Sequence, residues 1–118
     1  MADPPGGTLT HLNPILNVTD LDASIAFYTE ILGFKLLHTF GDPADFAIIG
    51  HGDHQIYLCH NCQGQRGTWL ALFVSDPEGL HEHLMANAVE LTMALEASGS
   101  EFRANDPDGH VLRFFVAS

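Results

Sequence analysis

Asp20-Leu21-Asp22-Ala23-Ser24-Ile25-Ala26-Phe27-Tyr28, running on to Leu32-Gly33-Phe34, decides the fold, because its plan recurs from Asp76. Asp20 offers a short carboxylate to the unpaired N–H groups of a first helical turn. Leu21, Ile25, Tyr28 and Leu32 then fall at near-helical spacing, and Gly33 stops the helix. Upstream, His11–Val18 alternates as a strand, with Leu12, Leu16 and Val18 on one face and His11, Asn13, Ile15 and Asn17 on the other. Downstream come three extended segments, Phe34–Phe40, Phe46–Ile49 and His54–His60, separated by Gly-Asp-Pro and His-Gly-Asp turns.

After the loop at Gln63–Gly67 the pattern restarts. Trp69–Val74 is a strand, and Ser75-Asp76-Pro77-Glu78 opens a helix with proline in its first turn. That helix carries Leu80 and Leu84 inward and ends near Asn87; strands fit Val89–Thr92, Glu101–Ala104 and Val111–Val116. The turn Asp106-Pro107-Asp108-Gly109 leads into the last one. The expectation is an α+β protein of two βαβββ modules whose curved sheets enclose a cleft. Residues 1–9 read as a flexible tail, and residues 10–118 as one domain with modules at 10–65 and 66–118.

Length and composition agree with one core: 118 residues, 46% apolar and 16% charged. No apolar run is long enough to span a membrane, and the first residues lack the basic and apolar regions of a secretory signal, so a cytoplasmic location is expected. Four basic residues, Lys35, Arg66, Arg103 and Arg113, stand against fifteen acids, a formal charge of −11. Nucleic acid is disfavoured as a partner, since little cationic charge is available to displace phosphate counterions. An acidic field favours cationic partners and solubility. Protonating all eight histidines would bring the charge to −3, so behaviour should shift below about pH 6.

Cys59 and Cys62 form one C-x-x-C with His51, His54 and His60 nearby. A structural zinc site usually needs a second pair of ligands at fixed spacing, and a redox motif usually opens a helix. The favoured reading is two reduced cysteines without a special role, with a three- or four-ligand metal site as the alternative.

Strand alternation also nominates the cleft lining. If Leu16, Ile56, Leu58, Leu70, Leu72, Val74, Leu112, Phe114 and Val116 pack under the helices, then Asn13, Asn17, Gln55, Tyr57, Cys59, Trp69, Phe73, Val111, Arg113 and Phe115 face the cleft. Aromatic surface with scattered polar groups suits an amphipathic small molecule.

These residues resemble the vicinal oxygen chelate superfamily, which includes glyoxalase I, extradiol dioxygenases, fosfomycin-resistance enzymes and bleomycin-resistance proteins. The stretch from Asp20 to Phe34 resembles its D-x-x-x-S-x-x-F-Y…L-G-F signature, and Asp106-Pro107-Asp108-Gly109-His110 resembles its turn before the last strand. The resemblance implies metal ligands on four cleft-facing strand positions, which here hold Asn13, Tyr57, Trp69 and Arg113. None is a usual ligand, and a guanidinium cannot lose its proton to bind a cation. No metal, no cofactor and no catalytic group is therefore expected.

Finer matches resemble the bleomycin-resistance proteins of that superfamily. Asn13-Pro14-Ile15-Leu16 is similar to their V-P-V-L stretch at the hinge of an exchanged N-terminal arm, and Asp76-Pro77-Glu78-Gly79-Leu80-His81-Glu82 to their helix start. Asp45-Phe46-Ala47 is similar to their D-F-A, whose phenylalanine stacks on the drug. The resemblance implies a homodimer that sequesters a cationic, bleomycin-like drug between subunits without chemistry. Phe46, Trp69, Tyr57, Asn13, Arg113 and Asp45 are the candidate ligand contacts, with Asp42 beside them. Ser98 occupies a position where some members carry a second stacking tryptophan, a loss of about 0.5–1.5 kcal/mol beyond burial. An orphan binder of another aromatic ligand, or an enzyme using His11, His38, Cys59 or His60, are the alternatives.

Overall fold

The computed structural model describes residues 9–62, 64–95 and 101–117. Most of the tail and Ser98 lie outside the described residues. The described chain forms two four-stranded sheets with one plan. β1 (Ile15–Val18), α1 (Leu21–Ala26), β2 (Lys35–Gly41), β3 (Ala44–His51) and β4 (His54–His60) make the first module. β5 (Trp69–Val74), α2 (Pro77–Ala86), β6 (Leu91–Met93), β7 (Glu101–Asn105) and β8 (Val111–Val116) make the second. The strand orders, β1-β4-β3-β2 and β5-β8-β7-β6, are identical when renumbered, and in each sheet the first strand pairs in parallel with the last. The duplicated βαβββ plan is therefore observed.

Local chemistry explains the helix starts. The Asp20 carboxylate accepts from the Ala23 N–H at 3.1 Å, and that of Asp76 accepts from the Gly79 N–H at 3.0 Å. A Cβ at Gly79 would meet the Asp76 carboxylate, so a larger residue there would have to displace the cap. After Ala26 the first helix widens over Phe27–Ile31 into i+5 hydrogen bonding, with Leu32 N–H donating to Phe27 O. The extra residue turns both Phe27 and Tyr28 inward, and Tyr28 is fully buried. Gly33, at φ +79°, ends the segment in a left-handed conformation.

The core combines Leu16, Val18, Ile49 and Leu58 from the first module with Leu84, Phe102, Leu112 and Phe114 from the second. Leu16 and Val18 of β1 are fully buried. Their counterparts on β5, Leu70, Leu72 and Val74, are only partly buried, because α2 packs over β7 and β8.

Two expectations need correction. β1 starts at Ile15, because Pro14 brings no N–H to a ladder; its carbonyl takes the first bond, from the Tyr57 N–H at 2.9 Å. Leu12, expected on the packed face, is consequently 78% exposed. Cys59 and Cys62 are joined as a disulfide and are not free thiols. The left-handed backbone of Asn61, φ +51°, folds the chain tightly enough to bring them together. No described helix is long and apolar enough to cross a membrane.

Candidate functional site

On β4, Tyr57 and Cys59 share the face opposite buried Ile56 and Leu58. Register places Asn17, Cys59, Phe46 and Phe40 in one row across the first sheet, and Ile15, Tyr57, Ile48 and His38 in the next. The Asn13 amide donates to the Tyr57 hydroxyl at 3.2 Å. The Phe46 ring meets those of Tyr57 and Phe40 edge to face at 5.6 and 5.8 Å. Asn13, Tyr57 and Phe46 thus form one continuous surface.

The second sheet repeats the arrangement with different chemistry. Its rows are Trp69, Val111 and Asn105, then Ala71, Arg113 and Arg103, then Phe73, Phe115 and Glu101. Trp69 is 57% exposed and Phe73 67% exposed. Arg103 lies over the Trp69 ring, Arg113 lies over Phe115, and Phe115 stacks on Phe73. Oε1 of Glu101 accepts from both guanidinium groups. Those hydrogen bonds, Arg113's first, hold the Glu101 carboxyl below its ordinary range. Sequence reasoning nominates Trp69 and Arg113 for this face but not Arg103 and Glu101, which share it. Alternation along β7 around buried Phe102 and Ala104 carried that signal.

The candidates therefore fall into two groups, one on each sheet. Asp45 joins neither, because it shares its strand face with buried Ala47 and Ile49, opposite Phe46. A cavity of about 530 Å³ opens elsewhere, between residues 10–14, the β3–β4 turn and the packed side of β5, with Leu72, Leu80 and Phe114 in its wall. Of the candidate ligand contacts only Asn13 lines it, together with His11, Gln55 and Phe73 from the wider set that the sequence nominates.

Asn13, Tyr57, Trp69 and Arg113 do not fit a metal ion. Arg113 is a permanent cation already paired with Glu101, and an indole ring has no lone pair in its plane to offer. No group of three or more His, Cys, Asp or Glu side chains able to hold a metal occurs among the described residues.

Comparison with known proteins places this geometry in a family. The model of the Glyoxalase/Bleomycin resistance protein/Dioxygenase superfamily matches residues 8–114. The lactoylglutathione lyase of Salmonella typhimurium is 32% identical over 123 positions, covering 90% of this chain and 91% of that protein. An antibiotic binding protein from Streptomyces sp. CB03234 superposes with a TM-score of 0.80 at 20% identity, over 96% of this chain and 100% of that one. The bleomycin-binding protein from Streptomyces verticillus, solved with copper(II)-bleomycin, gives a TM-score of 0.70 at 28% identity, over 96% and 100%. The chain belongs to the glyoxalase, bleomycin-resistance protein and dioxygenase superfamily.

Proposed function

We propose that the protein is a non-catalytic antibiotic-binding protein, sequestering bleomycin or a similar cationic glycopeptide in an aromatic, metal-free groove. The observation that carries this reading is the chemistry at the four cleft positions. Asn13, Tyr57, Trp69 and Arg113 offer hydrogen bonds and flat surface, and no set of metal donors. The superposition on two proteins described as binding antibiotics supports it.

A second copy of the chain completes the groove in this proposal. The two half-sites stand on separate sheets, and the packed side of β5 is left partly open. Leu9 and Leu12 are 73% and 78% exposed, apolar surface that a partner subunit would cover. Sedimentation should find a dimer, and a monomer at all concentrations would remove this part of the reading.

The test of sequestration is calorimetric titration of chelator-treated protein with metal-free bleomycin at low and moderate salt. Saturable binding near one drug per chain, weakening with salt, is expected from a cationic ligand and a chain of charge −11. A flat titration would remove bleomycin and leave a binder of another aromatic ligand. A second reading, an enzyme of the superfamily, is favoured by the 32% identity to a lactoylglutathione lyase. Metal-dependent turnover by the purified protein would establish it over sequestration.

A further inference from the structure

Two of the four basic residues of this acidic chain sit directly opposite each other, Arg103 and Arg113 in the β7–β8 ladder. Like charges so placed repel and need a counter-charge. Glu101 supplies only one. Its Oε1 lies 2.8 Å from Nε and 2.7 Å from Nη2 of Arg113, and 3.1 Å from Nε of Arg103. The nine positions of the three rows contain no other ionised group, so these nine carry a net charge of +1.

Each guanidinium has five N–H donors, and Glu101 accepts the Nε–H of each, with Nη2 of Arg113 in ion-pair contact. The arginine side chains are 34% and 29% exposed, so the remaining donors have access to solvent. Flat apolar surface borders them in Trp69, Phe73 and Phe115. Asn105, in the Trp69 row, keeps its Oδ1 buried and without a hydrogen-bond partner among the described residues.

We infer that this face is an anion subsite, taking the carboxylate of an aromatic ligand on the outward N–H groups of Arg113 and Arg103 while its ring lies against Trp69 or Phe73. The inference rests on reading these sheet faces as the ligand site, and it adds a charge to the ligand. The net charge of −11 acts at a distance and is screened within about 8 Å at physiological salt, so the local pair decides what binds at contact. The preferred ligand is amphoteric, with a cationic part drawn by the whole protein and an anionic part held here.

Trp69 is the single tryptophan, so its emission reports directly on this face. Phenylpropionate and phenylpropanol have the same ring, and only the first carries a charge. Phenylpropionate should quench Trp69 saturably and bind at least about tenfold more tightly than the alcohol. Arg113→Gln should abolish that preference. Glu101→Gln keeps both cations and frees their donors, so it should tighten phenylpropionate binding severalfold, where a merely structural brace would give no gain. Equal binding of acid and alcohol, an unchanged preference in Arg113→Gln, or weaker acid binding in Glu101→Gln would overturn the subsite. The bleomycin titration separates the two proposals. Drug binding without acid preference overturns the subsite alone, and acid preference with a flat drug titration upholds it while removing bleomycin sequestration.

Discussion

The hydroxyl of Tyr28 donates a 2.7 Å hydrogen bond to Oδ2 of Asp106, fastening the helical segment of the first module to the last turn of the second. The remaining groups of that turn extend the link. Oδ1 of Asp106 accepts from the N–H groups of Asp108 and His110, both at 2.9 Å. The Asp108 carboxylate accepts from Thr19 N–H, Thr19 hydroxyl and Ser24 hydroxyl. The fully buried His110 ring accepts the Thr68 N–H on Nδ1, so Nε2 carries the hydrogen and donates to Asn17 O at 2.8 Å. Two carboxylates and one imidazole thereby set how the sheets, and with them the two groups of candidate residues, face each other.

Tyr28→Phe should therefore cost about 1–3 kcal/mol, because it leaves a buried carboxylate oxygen unpartnered. Urea unfolding measures this, and a loss within a few tenths would show that the link is not holding the modules. The variant should also change the alkaline limb. Burial, and then the Asp106 charge, raise the Tyr28 pKa well above its ordinary value. Stability from the neutral hydroxyl is complete below about pH 10 and is lost as pH rises toward the folded value. The wild type should lose stability above that pH more steeply than Tyr28→Phe.

Glu101 makes the opposite prediction in acid. Its folded pKa is lowered by the hydrogen bonds from Arg113 and Arg103. The resulting stability is complete above the unfolded value of about 4.3 and disappears as pH falls through the folded one. Wild type should be more stable than Glu101→Gln at neutral pH, and the gap should close below about pH 4. Melting curves across that range check it, and a gap that persists unchanged would show that the carboxylate's charge is not what braces the two arginines.

Most of this framework was legible in the residues, because short-range chemistry sets it. Asp20 and Asp76 cap helices wherever they precede an apolar helical pattern, and the strands at 54–60, 69–74 and 111–116 begin and end where alternation predicts. Alternation runs back to His11, but Pro14 lacks the N–H that a ladder needs, and the strand stops at Ile15. The widened turn at 27–31 has no signal in spacing, since the extra residue changes which neighbours face inward only after the segment packs. The Asp45-Phe46-Ala47 resemblance brings Asp45 in beside Phe46, although neighbours on a strand point to opposite faces. The pairing of Arg103 with Arg113 depends on β7–β8 register, which a single strand does not contain. Separation of the candidates onto two sheets is likewise a tertiary property.

The Cys59–Cys62 disulfide closes a very small loop, so its expected contribution is about 2 kcal/mol. Unfolded, unreduced protein should show no free thiol, and reduced protein should show two. Reduction should also loosen the neighbouring loop, where Asn17 donates to Gly64 O at 3.1 Å and Arg66 donates to Asn61 at 2.8 Å. Hydrogen exchange at Asn61 and Gly64 would register that change. Two reactive thiols before reduction would return both cysteines to the free state.

Phe46→Ala separates a ligand platform from a packing residue. Phe46 is half-buried on β3, facing away from buried Ala47 and Ile49, and it does not belong to the buried core. Its aromatic neighbours are Phe40 and Tyr57, met edge to face, and Phe40 is 50% exposed. Removing the ring should therefore disturb the fold less than a core phenylalanine, whose loss costs about 3–5 kcal/mol. If bleomycin stacks there, the lost contact area and ring stacking together should weaken binding at least about tenfold. Calorimetry on the variant gives the affinity, and thermal melting gives the stability. Weaker binding with a nearly unchanged melting temperature assigns Phe46 to the ligand. Unchanged affinity removes it from the site and leaves Trp69 as the exposed platform to test next.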